Sequence, residues 1–314
     1  MWRRLGADRL SAADQQLLRF VLHSGFEAEY GGAAQPGTSS QVGHLSAHWH
    51  DSDADEFDGD DVLFAQGYEV IARHLAEPLA AGIRLNEAVQ EIDHSGREVR
   101  VSTARGSYAA DQLVLAVPLG VLKASRIRFT PALPAAHAEA IDSLRMGLLN
   151  KLYLRFDTPF WREAADTDWI EAVQPPGATA PTWAQWVNLH RPLKQNILLG
   201  FTAADAALAL EGLSDTALVA DAVARLKAVF GAAIPQPVAF VATRWMQDPW
   251  TLGAYSFNAL GMREDSRRQL ERPINGRLHL AGEHVHSEHF GTVHGAYLSG
   301  LRAARQVAAL ARGA

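Results

Sequence analysis

Residues 281–300 read AGEHVHSEHFGTVHGAYLSG and crowd four histidines, His284, His286, His289 and His294, beside Glu283 and Glu288. One chemistry for such a set is metal binding: His284 and His286 could share a side of an extended segment, with His289 as a third ligand. The four occupy a loop between a strand and a helix rather than a rigid base, and thirteen histidines are scattered along the chain, so part of the crowding is chance. No metal ligand set is assigned. The second chemistry belongs to the helix start. RLHLAG reads as a short buried strand and TVHGAYLSGLRAARQVAALAR as a helix, so Gly291 and Thr292 open an N-terminus that attracts anions and dipoles. Gly291, Gly295, Ala296, Ser299 and Gly300 leave one face almost without side chains. Each helical glycine costs about 1 kcal/mol relative to alanine, which asks for a reason beyond propensity. Close approach of a flat ligand is one reason, and tight helix–helix packing is the other.

The elements that position this stretch follow from the rest of the 314 residues, a length with room for two domains. Apolar residues make up 48% and charged residues 20%, as in a soluble globular protein, and the net charge of −6 argues against nucleic-acid binding. The absence of cysteine excludes disulfides, thiolate metal sites, cysteine nucleophiles and cysteine-linked cofactors. No apolar run reaches ~18 residues, so no membrane partner is expected, and MWRRLGADRL lacks the apolar stretch of a secretory signal. Residues 11–30 form a helix with caps at Ser11 and Asp14 and a stripe of Leu17, Leu18, Val21 and Leu22. The acidic stretch HWHDSDADEFDGDD (48–61) reads as a solvated loop. A helix over 66–80 leads to the strands IRLNEAVQEID, REVRVSTA and DQLVLAVP, then a helix over 135–145. Aromatic and β-branched strands follow (NKLYLRFDTPFW, TDWIEAV, TWAQWVNLH, NILLGFTA, PVAFVATRW), interrupted by one long helix over 213–231.

Five segments together resemble the flavin-dependent amine oxidases, the family of polyamine oxidases, monoamine oxidases and the related histone-lysine demethylases. AGE…GTVHGAYLSGLRAA is similar to its C-terminal flavin-binding segment, and DVLFAQGYEVIARHLA to the segment entering its FAD domain. VLAVPLGVLKASRIRFTPALP resembles the strand returning to its substrate domain. NKLYLRFDTPFW and WMQDPWTLGAYSF resemble its substrate-domain strands. The resemblance implies a mixed α/β fold: a partial FAD-binding Rossmann-like domain beside a substrate domain with a mixed sheet flanked by helices. It implies domain segments at 1–64 (substrate), 65–123 (FAD), 124–272 (substrate) and 273–314 (FAD).

Roles follow by position. Lys151 matches the lysine that holds a water against flavin N5, and Trp245 and Tyr255 match the aromatic cage around the amine, where ring faces suit a cation or a lone pair. Gly282 and Glu283 match the AGE motif near the pyrophosphate and ribityl portion, Thr292 and Val293 the helix start under the pyrimidine ring, and Val89 the position whose backbone meets adenine. The cofactor implied is FAD, held non-covalently, because Ala254 stands where monoamine oxidases carry their flavin-linked cysteine. Thr292 stands where they place a second cage tyrosine, which points to a polyamine-like primary or secondary amine as substrate. The implied reaction passes hydride from the carbon beside a neutral amine to the flavin; the imine hydrolyses and O₂ becomes H₂O₂. The acidic run Asp51 to Asp61 would attract a polyamine's distal ammonium groups if it lines the entrance.

One departure is large. The family's strand, G-x-G-x-x-G turn and helix, which cradle the pyrophosphate, have no counterpart here. A chain lacking that unit is expected to expose strand edges and apolar helix faces. Three accounts stay open: a separate chain supplies the unit, the sequence is part of a longer protein, or the chain is a truncated homologue without FAD. The rival functions are therefore a non-catalytic scaffold and a flavin oxidase or desaturase of a non-amine substrate.

Overall fold

The computed structural model describes residues 6–34, 40–46, 62–161, 164, 166–174 and 182–313, of which 311–313 by backbone alone. The acidic stretch 48–61 lies outside them. The fold is mixed α/β, with separate cores on two sheets.

Ser11 accepts a hydrogen bond from the Asp14 amide and starts helix α1 (Ala12–Leu22). The helix continues through a π turn at His23–Glu27 into Ala28–Tyr30 and stops at Gly31, whose φ of 68° suits glycine. Its buried side is polar: Gln16, His23 and Glu27 are buried, whereas Leu17 and Val21 of the expected stripe are exposed. A helical period shows only that two faces differ; docking chooses the buried one. Burial of the polar face is tolerable because His23 and Glu27 meet at 2.9 Å and Glu27 also accepts the Ala34 amide.

After helix α2 (Glu69–Ala76), strands β1 (Val89–Asp93), β2 (Val99–Thr103) and β3 (Ser107–Ala110) form an antiparallel meander. The first strand does not include Ile83–Leu85 as the sequence suggests. No strand among the described residues pairs with that segment, and backbone without a partner does not hold a strand. Strand β4 (Leu113–Leu115) leads to helix α3 (Leu119–Lys123), and β5 (Arg128–Thr130) returns parallel to β1. Helix α4 (Ala135–Ser143) closes this part, whose core includes Ile92, Val99, Leu119 and Ile141.

The second sheet is closed on one face. Strand β6 (Arg145–Met146) leads into β7 (Leu149–Arg155), followed by β8 (Trp169–Glu171), β9 (Gln185–Asn188) and β10 (Ile197–Ala203). Helices α5 (Ala204–Glu211) and α6 (Asp215–Phe230) precede β11 (Ala239–Ala242), giving the order β11-β7-β10-β9-β8. The sequence suggests only the second of these helices. Alternation along β7 and β10 sends Leu152, Leu154 and Leu198 inward, fully buried against Leu218, Val223 and Leu226 of α6 and Trp161, Trp183 and Trp186. Each of these indoles donates: Trp161 to Asn188, Trp183 to Asp221 and Trp186 to the Trp183 carbonyl. Gly200 is needed because a Cβ there would sit 2.6 Å from the Trp186 ring.

Strand β12 (Ser256–Phe257) pairs with β6, and helix α7 (Ser266–Leu270) packs on α4. Strand β13 (Leu278–Leu280) runs parallel to β4, and helix α8 (Val293–Gly313) ends the fold. Among the described residues no further strand pairs with β4 or β13, and Leu278 only bridges to Ile274 in the preceding turn, although parallel strands normally lie inside larger covered sheets. Large apolar side chains are exposed on several segments. They include Val62, Phe64, Tyr68, Leu75, Leu79 and Leu85, together with Val293, Tyr297 and Leu298 on α8. Among the described residues no helix is long and apolar enough to cross a membrane.

Candidate active site

Residues 147–151 tie together three of the expected site side chains. Gly147 donates to the Tyr255 carbonyl (2.7 Å) and accepts from the Ala254 amide (2.9 Å). Asn150 Oδ1 accepts the Trp245 amide at 3.2 Å. The Lys151 amide donates to Thr243 Oγ1, and its carbonyl accepts the Thr243 amide. Asn150 is itself fixed by donating to buried Glu211 at 2.7 Å, and Glu211 also accepts the Met246 amide. Lys151 lies in this segment, Tyr255 is tied to it by a main-chain bond at Gly147, and Trp245 is tied to it by the Asn150 side chain, itself held by Glu211.

Lys151 lies on the face of the second sheet opposite the leucine core. There it pairs with Phe201, and its Nζ lies 6.0 Å from the Phe201 ring centroid. Trp169 stacks on Phe201 at 5.8 Å, making an aromatic surface beside the amine. Burial pushes the Lys151 pKa below the usual lysine range, because the charged form loses solvent. Trp245 is partly buried and packs against the small core around Leu148 and Phe257. The Tyr255 hydroxyl donates to the Ala28 carbonyl at 3.1 Å, a group left without a helical partner at the last turn of its helix. Burial, reinforced by Glu29 and Glu283, raises the Tyr255 pKa far above the phenol range and keeps it neutral.

The second group gathers at the start of α8. Glu283 Oε1 accepts the Ser256 amide (3.0 Å), and Oε2 accepts the Ser256 hydroxyl (2.6 Å) and the Gly291 amide (2.7 Å). Ser256 follows Tyr255, so this carboxylate joins the two groups of site residues. Gly282 has φ 127°, donates to Ser299, and would strike the His284 ring if it carried a Cβ. Thr292 donates to the His289 carbonyl and accepts the Gly295 amide at 3.0 Å, an N-cap interaction. A Cβ at Gly295 would collide with the His289 carbonyl oxygen. Val293, half exposed, stands on the bare helix start. Val89 sits apart at the start of β1, partly buried against the first core.

Among the described residues no three of His, Asp and Glu converge on a metal position. His286 Nδ1 accepts the Glu288 and His289 amides, and the rings of His286, His289 and His294 contact in series at 4.9 Å. Burial pushes His284 down to about 4, so it is neutral at physiological pH. Tyr297, one turn into α8, is half exposed. Sequence reasoning missed Asn150, Glu211, Ser256 and Arg267. Arg267 sits in the charge-rich segment MREDSRRQLERP, yet it is 2% exposed.

The overall geometry matches putrescine oxidase bound to putrescine with a TM-score of 0.67 at 25% identity, covering 77% of this chain and 53% of that one. A family model for flavin-containing amine oxidoreductases matches residues 2–308, and the chain belongs to that family. It is 37% identical over 245 residues to probable polyamine oxidase 4 of Arabidopsis thaliana, covering 77% of this chain and 47% of that protein. It is 34% identical over 257 residues to human lysine-specific histone demethylase 2, covering 81% of this chain and 31% of the demethylase. The chain thus spans about half the length of the polyamine oxidase and a third of the demethylase.

Proposed function

We propose that this chain is the substrate-binding and C-terminal cofactor-binding portion of an FAD-dependent amine oxidase acting on a polyamine-like primary or secondary amine. The observation that carries the reading is the 147–151 segment, which fixes Lys151, Trp245 and Tyr255 together and joins them, through Ser256 and Glu283, to the start of α8. Segments 1–64 and 124–272 form the substrate side, and 65–123 with 273–314 the cofactor side.

The residues present fit one side of a flat cofactor: Gly300 on α8 has open space where a Cβ would stand, and Val293 and Tyr297 are half exposed, while Gly282 and Gly295 serve the close packing of the chain's own His284 and His289. Thr292, Val293 and Gly282 would hold the ring side, and Val89 the adenine side. When bound, flavin supplies the acceptor for two electrons from the carbon beside the amine. The chain's own groups do the rest. Tyr255 and Trp245 present ring faces that hold the amine as a cation or orient its lone pair. Lys151 gives up its proton more readily than a solvent-exposed lysine and orders a water at the reacting face. The helix start stabilises negative charge developing in front of it. The pyrophosphate cradle is assigned to a βαβ unit with a G-x-G-x-x-G turn that covers the open edges of β4 and β13 and the apolar side chains of 62–85, on a longer form of this protein or on a separate chain.

The test is FAD titration of the chain, alone and with such a unit supplied, followed by amine-dependent H₂O₂ release. Visible flavin absorption in the purified complex and peroxide formed from a polyamine support the reading. A colourless protein with the unit present would indicate the scaffold. In the loaded enzyme Lys151→Met is expected to slow flavin reduction or reoxidation, and unchanged rates for both would remove Lys151 from the reaction.

A further inference from the structure

Arg267 is buried at the junction of three segments. Its Nε and Nη2 both donate to Asn258 Oδ1 (3.0 and 2.9 Å), and Nη1 donates to Ser256 Oγ (2.9 Å) and to the His284 carbonyl (2.9 Å). The guanidinium plane lies over the Phe290 ring at 4.1 Å. The Ser256 hydroxyl that accepts from Arg267 donates onward to Glu283, whose same oxygen accepts the Gly291 amide. A continuous chain of bonds therefore runs from Arg267 through Ser256 and Glu283 to the start of α8. Tyr255 lies between: its main chain is bonded to Gly147, its neighbour Ser256 is in the chain, and its ring edge faces Gly291.

Burying a guanidinium is costly, and a well-packed apolar side chain often stabilises a core as much. What the apolar chain lacks is the planar fork, whose donors reach the β12 segment on two residues and the turn before α8 at once. We propose that Arg267 is a positioning residue that holds Tyr255 and the start of α8 in one register by fixing Ser256 and Glu283. The inference rests on the amine-oxidase reading for its catalytic consequence but not for its structural one. Without the guanidinium, Ser256 loses its donor, Glu283 keeps a partner free to rotate, and the Gly291 loop moves independently of Tyr255.

The experiment uses the full 314-residue chain. Amide hydrogen exchange is compared for the native protein, Arg267→Met, Arg267→Lys, Ser256→Ala and the Arg267→Met/Ser256→Ala double variant. The Ser256 and Gly291 amides are expected to exchange about tenfold faster in both Arg267 variants, because one ammonium cannot span the three acceptors, while amides of β7 and β10 stay unchanged. The Gly291 amide of the double variant is expected to exchange no faster than that of Arg267→Met, since both changes cut one path. With cofactor loaded, Arg267→Lys is expected to lower kcat about tenfold with KM within about twofold, the signature of lost alignment rather than lost binding. If Arg267→Met does not fold, Arg267→Lys and Ser256→Ala carry the exchange test. Native exchange at Gly291 in folded Arg267→Lys, or fully additive effects in the double variant, would overturn the inference. Failure of the native chain to take up FAD would overturn the flavin reading instead, and the exchange data would still decide the role of Arg267.

Discussion

The second sheet and the β4–β13 region solve the burial problem differently. In the second sheet Leu152, Leu154 and Leu198 are fully buried, three tryptophans are enclosed with satisfied indole nitrogens, and α6 covers one face. The β4–β13 pair joins no other strand among the described residues; apolar side chains are exposed in the 62–85 segment, Val62, Leu79 and Leu85 among them, and also on β11 at Phe240 and Val241. A surface this apolar is built for contact.

The comparison can be broken by substitution. Leu154→Ala, inside the closed core, is expected to lower unfolding free energy by about 2–5 kcal/mol in a denaturant titration; a loss below about 1 kcal/mol would mean the second sheet is not the stable part. A pH effect of similar size comes from the junction between the regions. Burial takes His284 from 6.5 to about 4, so across that window the unfolded chain binds a proton that the folded chain refuses. Stability is complete above that window and falls as pH drops through it, by about 3 kcal/mol in total. His284→Asn should flatten that dependence in melts taken from neutral to acid pH. Thr292→Ala removes the N-cap of α8 and is expected to cost about 1 kcal/mol, read as local loss of helix signal or a lower melting temperature. The smallest effect belongs to the open region: Leu85→Ser should change stability by less than about 0.5 kcal/mol. A larger loss would show that this side chain is covered in solution.

The two regions also differ in what their sequences reveal. The strands of the second sheet read directly from their aromatic and β-branched composition. The first strand of the meander reads too long, because Ile83–Leu85 have strand composition but no neighbouring strand among the described residues. The stripe on α1 has the right period and the wrong buried face, since His23 and Glu27 compensate each other inside. At the site, Lys151, Tyr255, Trp245 and Glu283 are legible through family motifs. The groups that fix them, Asn150, Glu211, Ser256 and Arg267, carry no local signal, because a buried polar residue looks like a surface one until its partners, up to 95 positions away, are known.

By itself the sequence determined the family, the mixed α/β class, the absence of a phosphate-cradling glycine turn and the identity of the aromatic and lysine candidates. These depend on residue types at short spacing. Only the tertiary structure decided that three of those candidates hang from residues 147–151, that Glu283 turns its carboxylate onto Ser256 and Gly291, and that Arg267 lies buried behind them. Those facts depend on which distant segments meet, and hydrogen bonds across such meetings follow from packing rather than from local pattern.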